Sequence, residues 1–111
     1  MTEKAATIVV CVDADLAEIV PAYLANRRQD GVRLAELLAR QEFNAMRVLG
    51  HRMKGSGMGY GFKVISELGA RLEKAAQAGS RSESAACIAD LDDYLTRLEV
   101  SYTQETNLTN G

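Results

Sequence analysis

The sequence predicts an all-α fold: an up-down-up-down antiparallel four-helix bundle preceded by a short N-terminal extended arm and a helical turn. Three observations predict it. Four stretches carry apolar residues at steps of three and four. The connections between them are short and are marked by polar residues or glycine. The chain has 111 residues, 47% hydrophobic and 25% charged, which suits one ordinary globular domain. No internal repeat or long linker divides it. The expected organisation is an arm over residues 1–14, the bundle over 15–102 and a disordered tail over 103–111.

Taken in order, residues 1–6 are polar. Ile8-Val9-Val10-Cys11-Val12 is β-branched and reads as extended, with no second strand to pair with, so it is expected to pack on the helices as an arm. Asp13 or Asp15 offers a cap to a short turn carrying Leu16, Ile19 and Val20. Pro21, the only proline, suits the first turn of a helix or a kink between two helical pieces. Ala22 to Arg40 is helical, with Leu24, Gly31, Leu34, Leu37 and Leu38 inward, interrupted by the polar cluster Arg27-Arg28-Gln29-Asp30. That cluster reads as a solvated face, or as arginines near His51. After Gln41-Glu42 a second helix runs from Phe43 to about Met58, where the glycines at 57, 59 and 61 weaken it. Phe62 to Ala78 turns Ile65, Leu68, Gly69, Leu72, Ala75 and Ala76 inward, and Gly69 permits close backbone approach. Gly79-Ser80 ends it, and Ser80 or Ser82 caps a last helix over 83–101 with the stripe Ile88, Leu91, Leu95, Leu98 and Tyr102.

Composition excludes several function classes. A formal charge of −2 and a pI near 5.4 argue against a nucleic-acid binder. Absence of tryptophan and 5% aromatic content leave little for base stacking. No apolar run approaches the ~20 residues needed to span a bilayer, and the first residues lack the order of a signal peptide. A cytoplasmic protein is expected. Cys11 and Cys87 are too few for a disulfide framework or a zinc site and read as two reduced thiols. With one histidine and no Glu-x-x-His pattern, no metal site is expected.

The candidate chemistry lies in His51-Arg52-Met53-Lys54-Gly55-Ser56-Gly57-Met58-Gly59-Tyr60-Gly61. At about 100° per residue, Arg47, His51, Lys54, Gly55 and Met58 share one helix face, while Met46, Leu49, Gly50, Met53 and Gly57 share the other. No carboxylate lies one turn from His51 to orient its ring, so a hydrolytic triad is unsupported. The glycine run lacks Gly-Lys-Ser/Thr and ends a helix, so no ATP site is expected. What remains is a neutral imidazole acting as a nucleophile toward a phosphoryl group. Lys54 and Arg47, one turn to either side, supply cations for the phosphoryl oxygens. Gly55 leaves clearance beside the ring. Met58 and Tyr60 form a candidate rim for a docking partner, and Arg28 is a further candidate.

His51-x-x-Lys54-Gly55, with Gly61 ten residues after the histidine, resembles the signature of histidine-containing phosphotransfer (HPt) domains. Leu68, Leu72, Glu73 and Ala76 fall where that family carries the next helix's apolar positions and its Leu-Glu pair. The likeness covers about residues 15–100. It implies a phosphorelay intermediate of two-component signalling, not an enzyme acting alone. The resemblance makes His51 the phosphorylated residue, Lys54 its charge-neutralising neighbour, Gly55 the clearance and Gly61 the helix-ending glycine. It implies a receiver-domain or hybrid-kinase partner, Mg²⁺ on the receiver and no cofactor on this chain. No nucleic-acid or membrane partner is expected, and nothing demands a dimer, so a monomer is expected. Met53 stands where the family commonly has leucine, and the Ile8–Val12 arm is not part of the core pattern; it covers the bundle or takes part in dimerisation. The competing reading is a helical adaptor that docks a receiver or kinase without carrying phosphate. A bundle storing metal in its core is disfavoured, since the core stripes hold almost no ligand groups.

Overall fold

The computed structural model describes residues 6–103. Residues 1–5, and positions 104–111 of the expected tail, lie outside the described residues. The element order is β1 (Ile8–Asp13), a 3₁₀ turn (Ala14–Leu16), α1 (Val20–Ala39), α2 (Phe43–Gly57), a second 3₁₀ turn (Met58–Tyr60), α3 (Lys63–Gln77), α4 (Arg81–Arg97) and β2 (Leu98–Thr103).

The helix boundaries follow from local chemistry. Asp13 accepts a hydrogen bond from the Asp15 backbone N–H at 2.8 Å and so starts the first turn. Pro21 sits in the first turn of α1, where its missing N–H costs nothing. Ser80 caps α4 by accepting from the Glu83 backbone N–H. Three connections close with the same pair of backbone bonds. Gln41 N–H donates to Leu38 O and Glu42 N–H to Leu37 O; Gly61 donates to Met58 O and Phe62 to Gly57 O; Gly79 donates to Ala76 O and Ser80 to Ala75 O. Each needs one residue with positive φ. Gly61 (92°) and Gly79 (67°) supply it freely, whereas Gln41 adopts 56° with a side chain attached.

The core joins one stripe from each helix: Tyr23, Leu24, Leu34 and Leu37 of α1; Met46 and Met53 of α2; Ile65, Leu68 and Leu72 of α3; Cys87, Leu91, Tyr94 and Leu95 of α4. Phe62, fully buried, fills the corner where α2 turns into α3. The tightest packing is α2 against α3. A Cβ on Gly50 would meet Glu73 N at 2.8 Å and Gly69 O at 2.9 Å, and one on Gly57 would meet Ser66 N and Oγ at 2.5 Å. One on Gly69 would strike Lys54 N. These small residues let the two backbones touch. Ser66 then fastens the contact, donating to Lys54 O at 2.9 Å and accepting from Met58 N–H at 2.8 Å. The Arg71–Asp90 ion pair, at 3.0 Å, ties α3 to α4.

Three expectations are corrected. Ile8–Asp13 does have a partner strand: it pairs parallel with Leu98–Thr103, Ile8 opposite Leu98 and Asp13 opposite Thr103. The fold is therefore four helices with a two-stranded sheet rather than all-α with an unpaired arm. Correspondingly, α4 ends at Arg97, and Leu98 and Tyr102 belong to β2. The reason is local. Leu98, Val100 and Tyr102 alternate with Glu99, Ser101 and Thr103, so the segment also fits a half-buried strand, and the partner strand settles the choice. Thr103, placed in the tail by the sequence reading, is the last residue of that strand. Both thiols are free; Cys11 is exposed and Cys87 is buried.

Candidate functional site

His51 lies in the middle of α2 with its side chain 64% exposed. Its Nδ1 is 3.0 Å from Glu73 Oε2, and Lys54 Nζ is 2.8 Å from the other oxygen of the same carboxylate, Oε1. Glu73 comes from α3, and the glycine contact between the helices explains its reach: a Cβ on Gly50, the residue before His51, would touch the Glu73 backbone itself. The absence of side chains at Gly50 and Gly69 thus brings a carboxylate to an imidazole on another helix. No acid stands within one turn of His51 along α2, so helix spacing alone gives the ring no partner. The acid is 22 positions further on in the chain.

The electrostatics fix the tautomer. The Lys54 ammonium, more than the His51 N–H, holds the Glu73 carboxyl below its usual range against a smaller opposing effect of burial. An ionised carboxylate can only accept hydrogen bonds, so Nδ1 of the neutral ring must carry the proton. Nε2 then keeps its lone pair, and it makes no hydrogen bond among the described residues. The outcome is an exposed, oriented nucleophilic nitrogen whose back side is held by an anion.

The other sequence-predicted residues are placed as follows. Gly55, one turn beyond His51, has nothing within 4 Å of where a Cβ would stand, so the space beside the ring is open. Arg47 is one turn before His51, and its guanidinium donates to Asn44 Oδ1 at 3.1 and 3.3 Å in a shallow cleft shared with Ala76 and Gln77. Met58 is 63% exposed just beyond the end of α2. Tyr60 stacks on Tyr23 with ring centroids 4.1 Å apart, and the Tyr23 hydroxyl lies 3.0 Å from Ser56 Oγ. Gly61 closes the turn after Tyr60. Arg28 lines a groove between α1 and α4 with Asp92 and Thr96, while the histidine sits on the α2–α3 side. Its neighbour Arg27 pairs with Asp30 at 2.8 Å and lies over the Tyr23 ring. Burial keeps Asp30 above its usual value despite Arg27.

Among the described residues no group of three His, Cys, Asp or Glu side chains has the arrangement to hold a metal, and no helix is long and apolar enough to cross a membrane. The site's equipment is an imidazole, a carboxylate and an ammonium in a row. Comparison with known families adds one finding: the model of the Hpt domain family matches residues 18–101. The chain belongs to the Hpt domain family. Neither the curated proteins nor the solved structures give a significant match. Membership assigns this Hpt domain, in general terms, to histidine phosphotransfer in two-component phosphorelays. The match begins within the 3₁₀ turn-to-α1 connection and runs through all four helices into β2. Ile8–Asp13 lies outside it, although this strand pairs with residues inside it.

Proposed function

We propose that this Hpt domain carries a phosphoryl group on Nε2 of His51 and exchanges it with the aspartate of a receiver domain, the receiver holding the Mg²⁺. The observation that carries the reading is the His51–Glu73–Lys54 row. In the forward step the Nε2 lone pair attacks phosphorus, the P–N bond forms, and the P–O bond to the receiver aspartate breaks, returning its carboxylate. The ring, still protonated on Nδ1, becomes cationic, and the Glu73 carboxylate 3.0 Å away stabilises that charge. In the reverse step the aspartate oxygen attacks phosphorus and Nε2 leaves with the P–N bonding pair, restoring the neutral ring.

Lys54 has two tasks in this scheme. At rest it neutralises Glu73, which would otherwise repel an incoming phosphoryl group. Its side chain is 45% exposed and flexible, so the ammonium then reaches the phosphoryl oxygens while staying near the carboxylate. Gly55 leaves room for the receiver to approach the ring, and Arg47 adds positive charge at the cleft. Met58, with Tyr60 behind it, forms the apolar edge of the docking face. The short connections at residues 40–42 and 78–80 support helices running alternately up and down. With no ATP-binding elements in its sequence, the chain acts in this proposal as a cytoplasmic carrier rather than as a kinase.

The test is transfer of labelled phosphate from a phosphorylated receiver or hybrid kinase to the wild-type chain and to His51→Gln. An acid-labile, alkali-stable label present in the wild type and lost in the variant is the expected result. A folded wild-type protein left unlabelled by a broad panel of competent receivers would overturn the carrier reading and favour the non-phosphorylated adaptor.

A further inference from the structure

The β1–β2 ribbon is an incomplete structure. Parallel sheets are ordinarily covered on both faces, and two strands alone are marginal in water. Here Ile8, Val10 and Val12 of β1 and Leu98, Val100 and Tyr102 of β2 face the bundle, whereas Val9 and Cys11 face outward beside Glu99 and Ser101. Val9 is 60% exposed. Among the described residues no third strand pairs with either outer edge.

The two edges differ. β2 carries Glu99 as its second residue, the kind of charge that guards an edge against pairing. β1 has no charge, proline or bulge from Ile8 to Val12. We propose that the outer edge of β1 is a self-association surface: a second copy of this chain pairs its own β1 antiparallel about a two-fold axis, giving the strand order β2–β1–β1′–β2′. Self-complementarity selects this occupant. An axis perpendicular to the sheet keeps the bundle-facing residues of both copies on one side and matches odd-numbered residues with odd. With the axis at Val10, Val9 faces the partner's Cys11, Val10 faces its own symmetry mate, and Val12 faces the partner's Ile8. No like charges come together, because the two Asp13 residues fall at opposite ends of the ribbon. Pairing through β2 would instead set Glu99 near its own copy. This arrangement replaces the monomer expected from sequence, and it places the new contact on the β1 strand, away from the His51 row on α2 and α3.

The experiment is sedimentation of the full chain across a wide concentration range, for wild type, Cys11→Lys and Val32→Lys. Cys11 is exposed near the proposed axis, so the lysine variant puts like charges together across it. Val32, 59% exposed on the α1–α4 groove, tests the other apolar surface. A concentration-dependent dimer whose dissociation constant rises about tenfold or more in Cys11→Lys, with no change in Val32→Lys, is expected. A wild-type chain that stays monomeric throughout would overturn the proposal, as would a dimer indifferent to Cys11→Lys or broken by Val32→Lys. Should Cys11→Lys lose its helical circular dichroism, a short bis-maleimide on the unaltered chain decides: Cys87 is buried, so a covalent dimer forms only if the two Cys11 residues lie close together.

Discussion

Replacing Gly69 by alanine tests how the site is assembled. The added Cβ would stand 2.7 Å from Gly50 O and 2.8 Å from Met53 Cβ, and closer still to Lys54 N. These are backbone or first side-chain atoms that cannot swing aside. Comfortable contact begins near about 3.5 Å, so α2 and α3 must part by on the order of 1 Å. Overpacking of this kind costs about 1–3 kcal/mol, and alanine returns ~1 kcal/mol through helix propensity. The net expectation is a loss of up to about 2 kcal/mol. Urea unfolding measures it, with the slope unchanged and the midpoint lower. Gly31→Ala is the reference: it too lies inside a helix, but nothing stands within 4 Å of its Cβ position. That variant should gain about 0.5–1 kcal/mol. If Gly69→Ala gained as much as Gly31→Ala, close helix approach would not be what glycine provides at position 69, and the account of how Glu73 reaches His51 would fail with it.

Other outcomes follow from the same geometry. Gly55→Ala should stabilise the fold by about 0.5–1 kcal/mol, since its Cβ meets only open space, yet slow phosphoryl transfer from a receiver; an unchanged transfer rate would remove the clearance role. Glu73→Gln should keep the helices and lower the transfer rate, because an amide can hydrogen-bond Nδ1 in either ring tautomer and supplies no anion for the ring cation; transfer at the wild-type rate would refute this. The pH dependence has a definite sign. Glu73 is held below its ordinary value, so its stabilising contribution is fully present above about pH 4.3 and is lost as pH falls through its folded-state value. Wild type and Glu73→Gln should therefore converge in urea midpoint at acid pH, and a gap that widens there would contradict the assignment. Gln41→Gly should raise the unfolding free energy by about 1 kcal/mol, seen as a higher urea midpoint, by relieving the left-handed backbone at φ 56°.

The helices were legible in sequence because their signals are local: Pro21 at a start, Ser80 at a cap, Gly61 and Gly79 at ends, and a stripe of apolar residues on each. Close approach at Gly69 was legible too, as a missing side chain between Leu68 and Leu72. What escaped depended on distant residues. Leu98 and Tyr102 satisfy helical and strand spacing alike, and only Ile8–Asp13, 90 positions earlier, decides between them. Glu73 was visible as half of a Leu-Glu pair, but its place beside His51 required knowing that Gly50 and Gly69 meet. Ser66 gave no signal at all: a buried serine in an apolar stripe shows its purpose only once Lys54 O and the Met58 N–H are seen beside it.

The ribbon also constrains the order in which the molecule is built. Joining β1 to β2 closes a loop of about 85 residues, which costs on the order of 4 kcal/mol in chain entropy before any other term. A strand pair of this length cannot meet that cost unaided, so it forms on a surface the helices have already assembled. α2 and α3, adjacent in sequence and in tightest contact, are the natural nucleus. The ribbon closes last and opens first, and its amides should exchange with solvent through openings that leave the His51–Glu73 contact intact. A relay domain built this way could loosen the junction of its two ends without disturbing its chemistry.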